Sequence, residues 1–327
     1  MRSGRLVLAL VVLAAASAAQ EPPAVPDLAP PVLDGGDLAK TGLDRELRAR
    51  IEGALREGAY DRAEALLREA VEREPPSADV LRLLGGVLFL RHSYLNAAVA
   101  IKKAEALAPL DERSRFTLAM SYVVMGRRDW ARPELAKLAR AAPRNPLYLY
   151  WTGRLDYDDG QYAAAVKNLL RALEFDSRFV KAHDNLGLCY EALGKYDEAI
   201  RSYQEAVRLN REPKSPSPWP PLNLGLLLSR LDRLDEAESL FRESLRGDPR
   251  FPQGHYQLGA VLEKKGRSAE AIAELEEAAR LDPSYPEPHY ALARIHRKSG
   301  DAEKADRALE AFQRLKKEKG GAARGLR

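Results

Sequence analysis

Five histidines and one cysteine are the side chains of this 327-residue chain best suited to hold a metal or attack a substrate. His183, His255 and His289 stand in one register, each three residues before a leucine (Leu186, Leu258, Leu292). Groups repeated at such intervals in a helical array lie at least a helix diameter apart, ~10 Å, whereas zinc needs its donors ~2 Å from the metal. The repetition therefore reads as packing. His289 and His296 share a helix face about two turns apart, and no acid or cysteine completes them. Cys189 stands alone between Leu188 and Tyr190, which excludes an intramolecular disulfide; it reads as a small buried apolar residue. Asp156-Tyr157-Asp158-Asp159-Gly160 looks like a calcium loop but lacks the distal Glu and the loop length, and reads as a solvated turn. There is no Gly-x-Ser-x-Gly, no phosphate-cradling loop and no His-Glu-x-x-His. The expectation is no catalytic residue, no metal and no cofactor.

What does repeat is a frame of small residues. Ala63, Ala97, Ala131, Ala165, Ala199, Ala237, Ala271 and Ala305 are spaced by 34 residues throughout, except for 38 between Ala199 and Ala237. Twelve residues before most of them is a second small residue, among them Gly85, Gly153, Gly187 and Gly259. Five before is a turn residue, usually Gly, with His92 and Asp232 as exceptions. Four after is a bulky apolar residue such as Ile101, Tyr203 or Phe241, and a proline often follows eight residues further on. Apolar residues at three- and four-residue intervals make one helix face, glycine offers a left-handed stop, and proline ends the second run. Each unit is therefore helix, tight turn, helix.

This pattern resembles the tetratricopeptide repeat, whose 34-residue unit carries Leu-Gly, then Tyr, Ala, Phe and Pro. The clearest copy runs from His183 to Leu209, with Leu186-Gly187, Tyr190, Gly194, Tyr196, Ala199, Tyr203 and Ala206. Units fall at 44–77, 78–111, 112–145, 146–179, 180–217, 218–251, 252–285 and 286–317. The resemblance implies an all-α, right-handed superhelical solenoid of about eight such repeats, first a surface for holding other molecules.

The ends read differently. Arg2 and Arg5, an apolar run from Leu6 to Ala16 and small residues at 16–19 form a secretory signal over 1–19, cleaved near Ala18 or Ala19. The run is shorter than the ~20 residues that span a bilayer, and retention as an anchor is the alternative. Residues 20–43, with Pro22-Pro23, Pro26, Pro30-Pro31 and Gly35-Gly36, read as an extended, mobile linker. A single cysteine and no glycosylation sequon lean towards a bacterial envelope, so the product is expected to be exported, periplasmic or secreted. The net charge of +4 comes from the leader arginines and a basic tail, 318–327 with its approach, so it does not argue for nucleic acid. The last unit reads as a cap ending at Gly320-Gly321; Phe312 and Leu315, if exposed, would form a self-association patch.

In the family the first helices line the concave face. The inward register there includes Phe89, Phe116, Met120, Tyr150, Trp151 and Tyr157 in the second to fourth units, an apolar groove or packing between units. Asn185, Asn223 and Gln257 precede the Leu-Gly pair or its equivalent in the next three, a short amide row able to pair with a peptide backbone. The extra residues at 211–221 place five prolines around Trp219, which reads as a stiff exposed loop displaying Trp219 or as a tolerated insertion. The expected function is a non-catalytic scaffold or adaptor for protein or peptide partners, with no integral span after signal cleavage; monomer and homo-oligomer stay open. The alternatives are a self-associating assembly factor of an envelope complex or appendage, and an enzyme or its regulatory subunit.

Overall fold

The computed structural model describes residues 38–39, 41–73, 77–212 and 216–324, with side chains through 318 except at 73. The expected signal segment and most of the expected linker lie outside the described residues. Sixteen helices, with no strand among the described residues, follow one another in pairs. The first four pairs are α1 (Arg45–Arg56) with α2 (Tyr60–Arg73), α3 (Ala78–Leu90) with α4 (Tyr94–Leu107), α5 (Glu112–Val124) with α6 (Arg128–Ala141), and α7 (Pro146–Asp158) with α8 (Tyr162–Phe175). Then come α9 (Val180–Ala192) with α10 (Tyr196–Asn210), α11 (Trp219–Arg230) with α12 (Leu234–Gly247), α13 (Pro252–Lys264) with α14 (Ser268–Leu281), and α15 (Pro286–Lys298) with α16 (Ala302–Arg324). The result is an all-α superhelical repeat fold.

Local chemistry sets the helix starts. Asp44, Ser77, Asp111 and Asn145 each accept a backbone N–H of the first turn of α1, α3, α5 and α7. Prolines open α13 and α15, where a missing N–H costs nothing. The turn residue between paired helices is left-handed in every unit, and His92 and Asp232 adopt it too, at φ 59° and 60°. Both are thus held where a side chain is disfavoured.

The eight alanines are all fully buried, each at 0% exposure. They lie where paired helices close. A Cβ on Gly187 would sit 2.5 Å from the ring of Tyr203, and one on Gly85 would sit 2.4 Å from Ile101. The bulky residue of the second helix fills the space that the small residue of the first leaves empty. Successive first helices also touch one another directly, α3 with α5, α7 with α9, α11 with α13 and α13 with α15, which no second helices do to that extent. The first helices therefore crowd the inner side of the curve and the second helices spread along the outer side.

At the joint between units, one slot on the second helix meets the residue before the next unit's turn. Glu64 pairs with Arg91, Arg132 with Asp159 at 2.7 Å and Glu238 with Lys265 at 2.6 Å. Ala98 and Met125, in the same two slots, join one apolar cluster. The slots hold Val166 and Leu193 at the fourth joint, and Ile200 and Leu231 at the fifth. The first, third and sixth joints are thus ionic and the second, fourth and fifth carry apolar residues.

Four expectations need correction. Trp219 is not displayed in a loop. It is the first residue of α11, 9% exposed, with its ring 4.9 Å from that of Phe251. Pro220 and Pro221 follow it in the first turn, where proline starts a helix rather than stiffening a loop. The Asn210 amide clamps Ser217 through both its groups, at 2.7 and 2.9 Å, and Ser244 donates to the Pro218 carbonyl at 2.7 Å. Residues 213–215 of the insertion lie outside the described residues. The linker, expected through residue 43, ends sooner: Leu38 and Thr41 are buried, and Ser77 donates to the Thr41 carbonyl at 3.3 Å. Finally, α16 continues through Gly320-Gly321 to Arg324. The self-association patch does not form either, since Leu315 is buried and the half-buried Phe312 packs 5.1 Å from Tyr290.

Gly187→Ala should cost about 1–3 kcal/mol by overpacking against Tyr203, read by urea denaturation. Asp232→Gly should instead stabilise by about 0.5–1 kcal/mol, because it removes left-handed strain at an exposed turn. Glu238 gives a pH signature. Its partial burial works to raise the carboxyl's pKa, but Lys265, Arg242 and Arg267 outweigh that and hold it at about 2. A depressed folded pKa stabilises above the unfolded value and is lost as pH falls through the folded one. The urea midpoint should therefore drop between about pH 5 and 2 more steeply in the wild type than in Glu238→Gln.

Candidate binding surface

The inner side is built from the first helices, and their apolar residues in the second to fourth units are consumed by packing. Phe89 is fully buried on α3, edge-on to Tyr94 at 5.3 Å. Phe116 on α5 packs 5.6 Å from Tyr148, and Met120 is fully buried. Tyr150 and Trp151, adjacent on α7, are both buried, because Tyr150 is covered at 5.0 Å by Phe179, the residue that leads into α9, while Trp151 lies 5.3 Å from Tyr150 itself. Tyr157 is half-buried beside Tyr162. An open apolar groove over units two to four is therefore absent; the packing alternative is what the chain adopts.

The amide row is also partly spent. Asn185 is buried and donates to the Lys181 carbonyl at 2.9 Å, one turn back on its own helix. Asn223 is buried and donates to Asp184 of the preceding unit at 2.9 Å. Gln257 alone of the three is half-buried. Trp219 lies in the core, away from any displayed site.

What remains accessible on the inner side lies further along, over the last three units. Tyr256 on α13 is half-buried under Tyr285 at 5.4 Å. Tyr290 takes the same slot on α15 and stands 50% exposed. A basic edge runs beside these rings. Arg230 reaches back to Glu191 at 2.5 Å, Lys264 to the Ser229 carbonyl at 3.2 Å and Arg294 to Glu263 at 2.8 Å. Arg297 and Lys298 are exposed at the end of the row. The surface therefore offers aromatic faces, a half-buried amide and guanidinium groups tethered one unit back. Such a set suits the backbone and acidic side chains of another protein. Tyr290, Lys264 and Lys298 were not among the residues singled out from the sequence. The repeat register alone could have found Tyr290, since it shares the slot of Tyr150 and Tyr256.

The groups considered for chemistry are engaged structurally. Burial pushes the Cys189 thiol up to about 12. His255 lies 2.7 Å from Glu274 and 3.0 Å from the Pro249 carbonyl, and His183 lies 3.0 Å from the Ser177 carbonyl. In the calcium-like turn, Asp156 receives Arg132 at 2.7 Å and Asn168 at 2.8 Å. Among the described residues no group of three His, Cys, Asp or Glu is placed to hold a metal ion, and no helix is long and apolar enough to cross a membrane.

Comparisons with known proteins agree with this architecture. Models of the tetratricopeptide repeat match residues 178–250, 48–112 with 222–286, and 262–318, and a TPR repeat model matches 153–194. No curated protein sequence matches the chain. Among solved structures, yeast Tom70 is similar over 89% of this chain and 65% of its own, at 19% identity and a TM-score of 0.62. PilF of Pseudomonas aeruginosa is similar over 66% of this chain and 97% of its own, at 21% identity and a TM-score of 0.55. PilW, described as a widely conserved type IV pilus biogenesis factor, is similar over 62% of this chain and 92% of its own, at 17% identity and a TM-score of 0.56. At these identities the likeness is one of fold. With eight helix pairs in register and repeat models matching most of its length, the chain belongs to the tetratricopeptide repeat family.

Proposed function

We propose that the chain is a non-catalytic scaffold that holds segments of partner proteins along the inner side of its last three units, in the bacterial cell envelope. The observation that carries this reading is the contrast along the inner side. In units two to four the large residues are sealed by the neighbouring unit, whereas Tyr290, Arg294 and Lys298 stand exposed and Gln257 half-exposed beyond them. Aromatic and arginine side chains are the residue types that dominate binding energy at protein interfaces. The envelope setting rests on the sequence, where Arg2, Arg5 and the apolar run to Ala16 form an export signal. The basic edge favours partner segments that carry carboxylates, since charge complementarity speeds encounter and fixes register.

Photo-crosslinking residues at Gln257 or Tyr290, introduced in the native cell, should give adducts with another protein. The same residue at Ser239, on the outer side of α12, should not. With the crosslinker at Gln257, adding Tyr290→Ala and Arg294→Ala should lower adduct yield to about a tenth or less. Equal adducts from Ser239, or none from Gln257 and Tyr290, would overturn the reading.

A further inference from the structure

The outer side is not uniform. Ten large apolar side chains stand exposed among the described residues, and six of them lie on three consecutive second helices. These are Leu95, Val99 and Leu107 on α4, Trp130 on α6, and Leu170 and Phe175 on α8. Leu95, at 64% exposure, occupies a slot in the first helical turn that is acidic in five of the eight units: Asp61, Asp129, Asp197, Asp235 and Glu303. An acid there is favoured by the helix dipole, so an exposed leucine gives up that benefit with no packing in return. Leu107 and Phe175 share one slot two units apart. Trp130 is 47% exposed, with the Arg127 guanidinium 4.7 Å over its ring and Tyr122 edge-on at 5.4 Å.

Charge changes over the same three helices. The exposed positions of α4, α6 and α8 carry seven lysines and arginines and two acids. Those of α10, α12 and α14 carry five of each, and one large exposed apolar residue, Tyr196. The outer side of units two to four is therefore apolar, basic and poor in acid, while the units that follow are polar and balanced. A second copy of this face is a poor occupant, because two such faces would repel. Apolar side chains interleaved with lysine and arginine, with a tryptophan among them, match a bilayer surface bearing anionic headgroups. Lysine and arginine stems lie along apolar surface while their charges reach outward to the phosphates.

We infer that the outer side of units two to four rests on an anionic membrane surface, with Leu95, Val99 and Trp130 entering the headgroup layer. The chain then meets the bilayer with its second helices, and its inner side faces away into the aqueous space.

Trp130 supplies the readout, since Trp151 and Trp219 are buried. Full-length protein mixed with vesicles of phosphatidylglycerol and brominated phosphatidylcholine should show quenched tryptophan emission. Trp130→Phe should abolish the quenching. Leu95→Ser with Val99→Ser should weaken binding about tenfold, and Lys103→Glu with Arg171→Glu should weaken it on anionic vesicles specifically. All three variants alter exposed side chains, and far-UV circular dichroism should match the wild type. Any hold of the apolar leader on the vesicles is common to all forms and leaves the comparison intact. Vesicle binding without Trp130 quenching, or with equal affinity in the Leu95/Val99 and Lys103/Arg171 variants, would overturn the inference. So would equal binding to a soluble polyanion such as heparin without any requirement for Leu95 and Val99. Crosslinking on the inner side is independent of all these outcomes.

Discussion

The closure of each unit depends on one contact, in which a residue with little or no side chain on the first helix receives a large side chain from the second. Where Gly187 meets Tyr203, the ring occupies the volume that a methyl group would need. The helix axes can then approach closely, and the buried alanine on the second helix keeps the backbone of that helix equally near. Crossing angle, turn length and the placing of the next unit follow from that distance. A left-handed residue is required between the helices because three residues must reverse the chain, and His92 and Asp232 accept the conformation although their side chains disfavour it. Local strain at two turns is small beside the packing that it permits.

This constraint is also why the fold was legible. A closed helix pair needs small residues at fixed spacing, and the spacing is visible without coordinates; all eight alanines lie where the period places them. The binding surface was less legible because periodicity reports which side of a helix a residue occupies, not what lies above it. Tyr150 and Tyr290 share a slot, yet one is sealed by Phe179 and the other is open. Asn185 and Asn223 read as available amides in the sequence, yet their amides donate to Lys181 and Asp184. Trp219 is hidden from sequence for a different reason. Its flanking prolines suit a loop and a helix start equally, and only the contact with Phe251 separates the two.

The two sides of the array differ in how they can vary. Inner residues of the middle units are enclosed by two neighbours and carry packing and hydrogen-bond demands at once, as Asp184 does in receiving Asn223. Outer residues of the second helices meet no following helix, so their composition is free to follow an external demand. That freedom is what makes the acid-poor stretch over α4, α6 and α8 informative. The same residues in the inner register would say little beyond packing.

The joints carry a further consequence. An acid meets a base between Glu64 and Arg91, the order is reversed between Arg132 and Asp159, and Ala98 and Met125 are both apolar. Most units therefore hold half of one kind of pair at their start and half of another kind at their end, whereas the fifth, with Leu193 and Ile200, is apolar at both. A copy of the third or fourth unit moved beside itself would bring unmatched halves, leaving a charge against an apolar residue, whereas a copy of the fifth would find apolar partners. Lengthening the array by internal copying is thus constrained at its joints even though every unit has the same fold. The edges of the units thus limit which of them can follow which, and the units are only partly interchangeable.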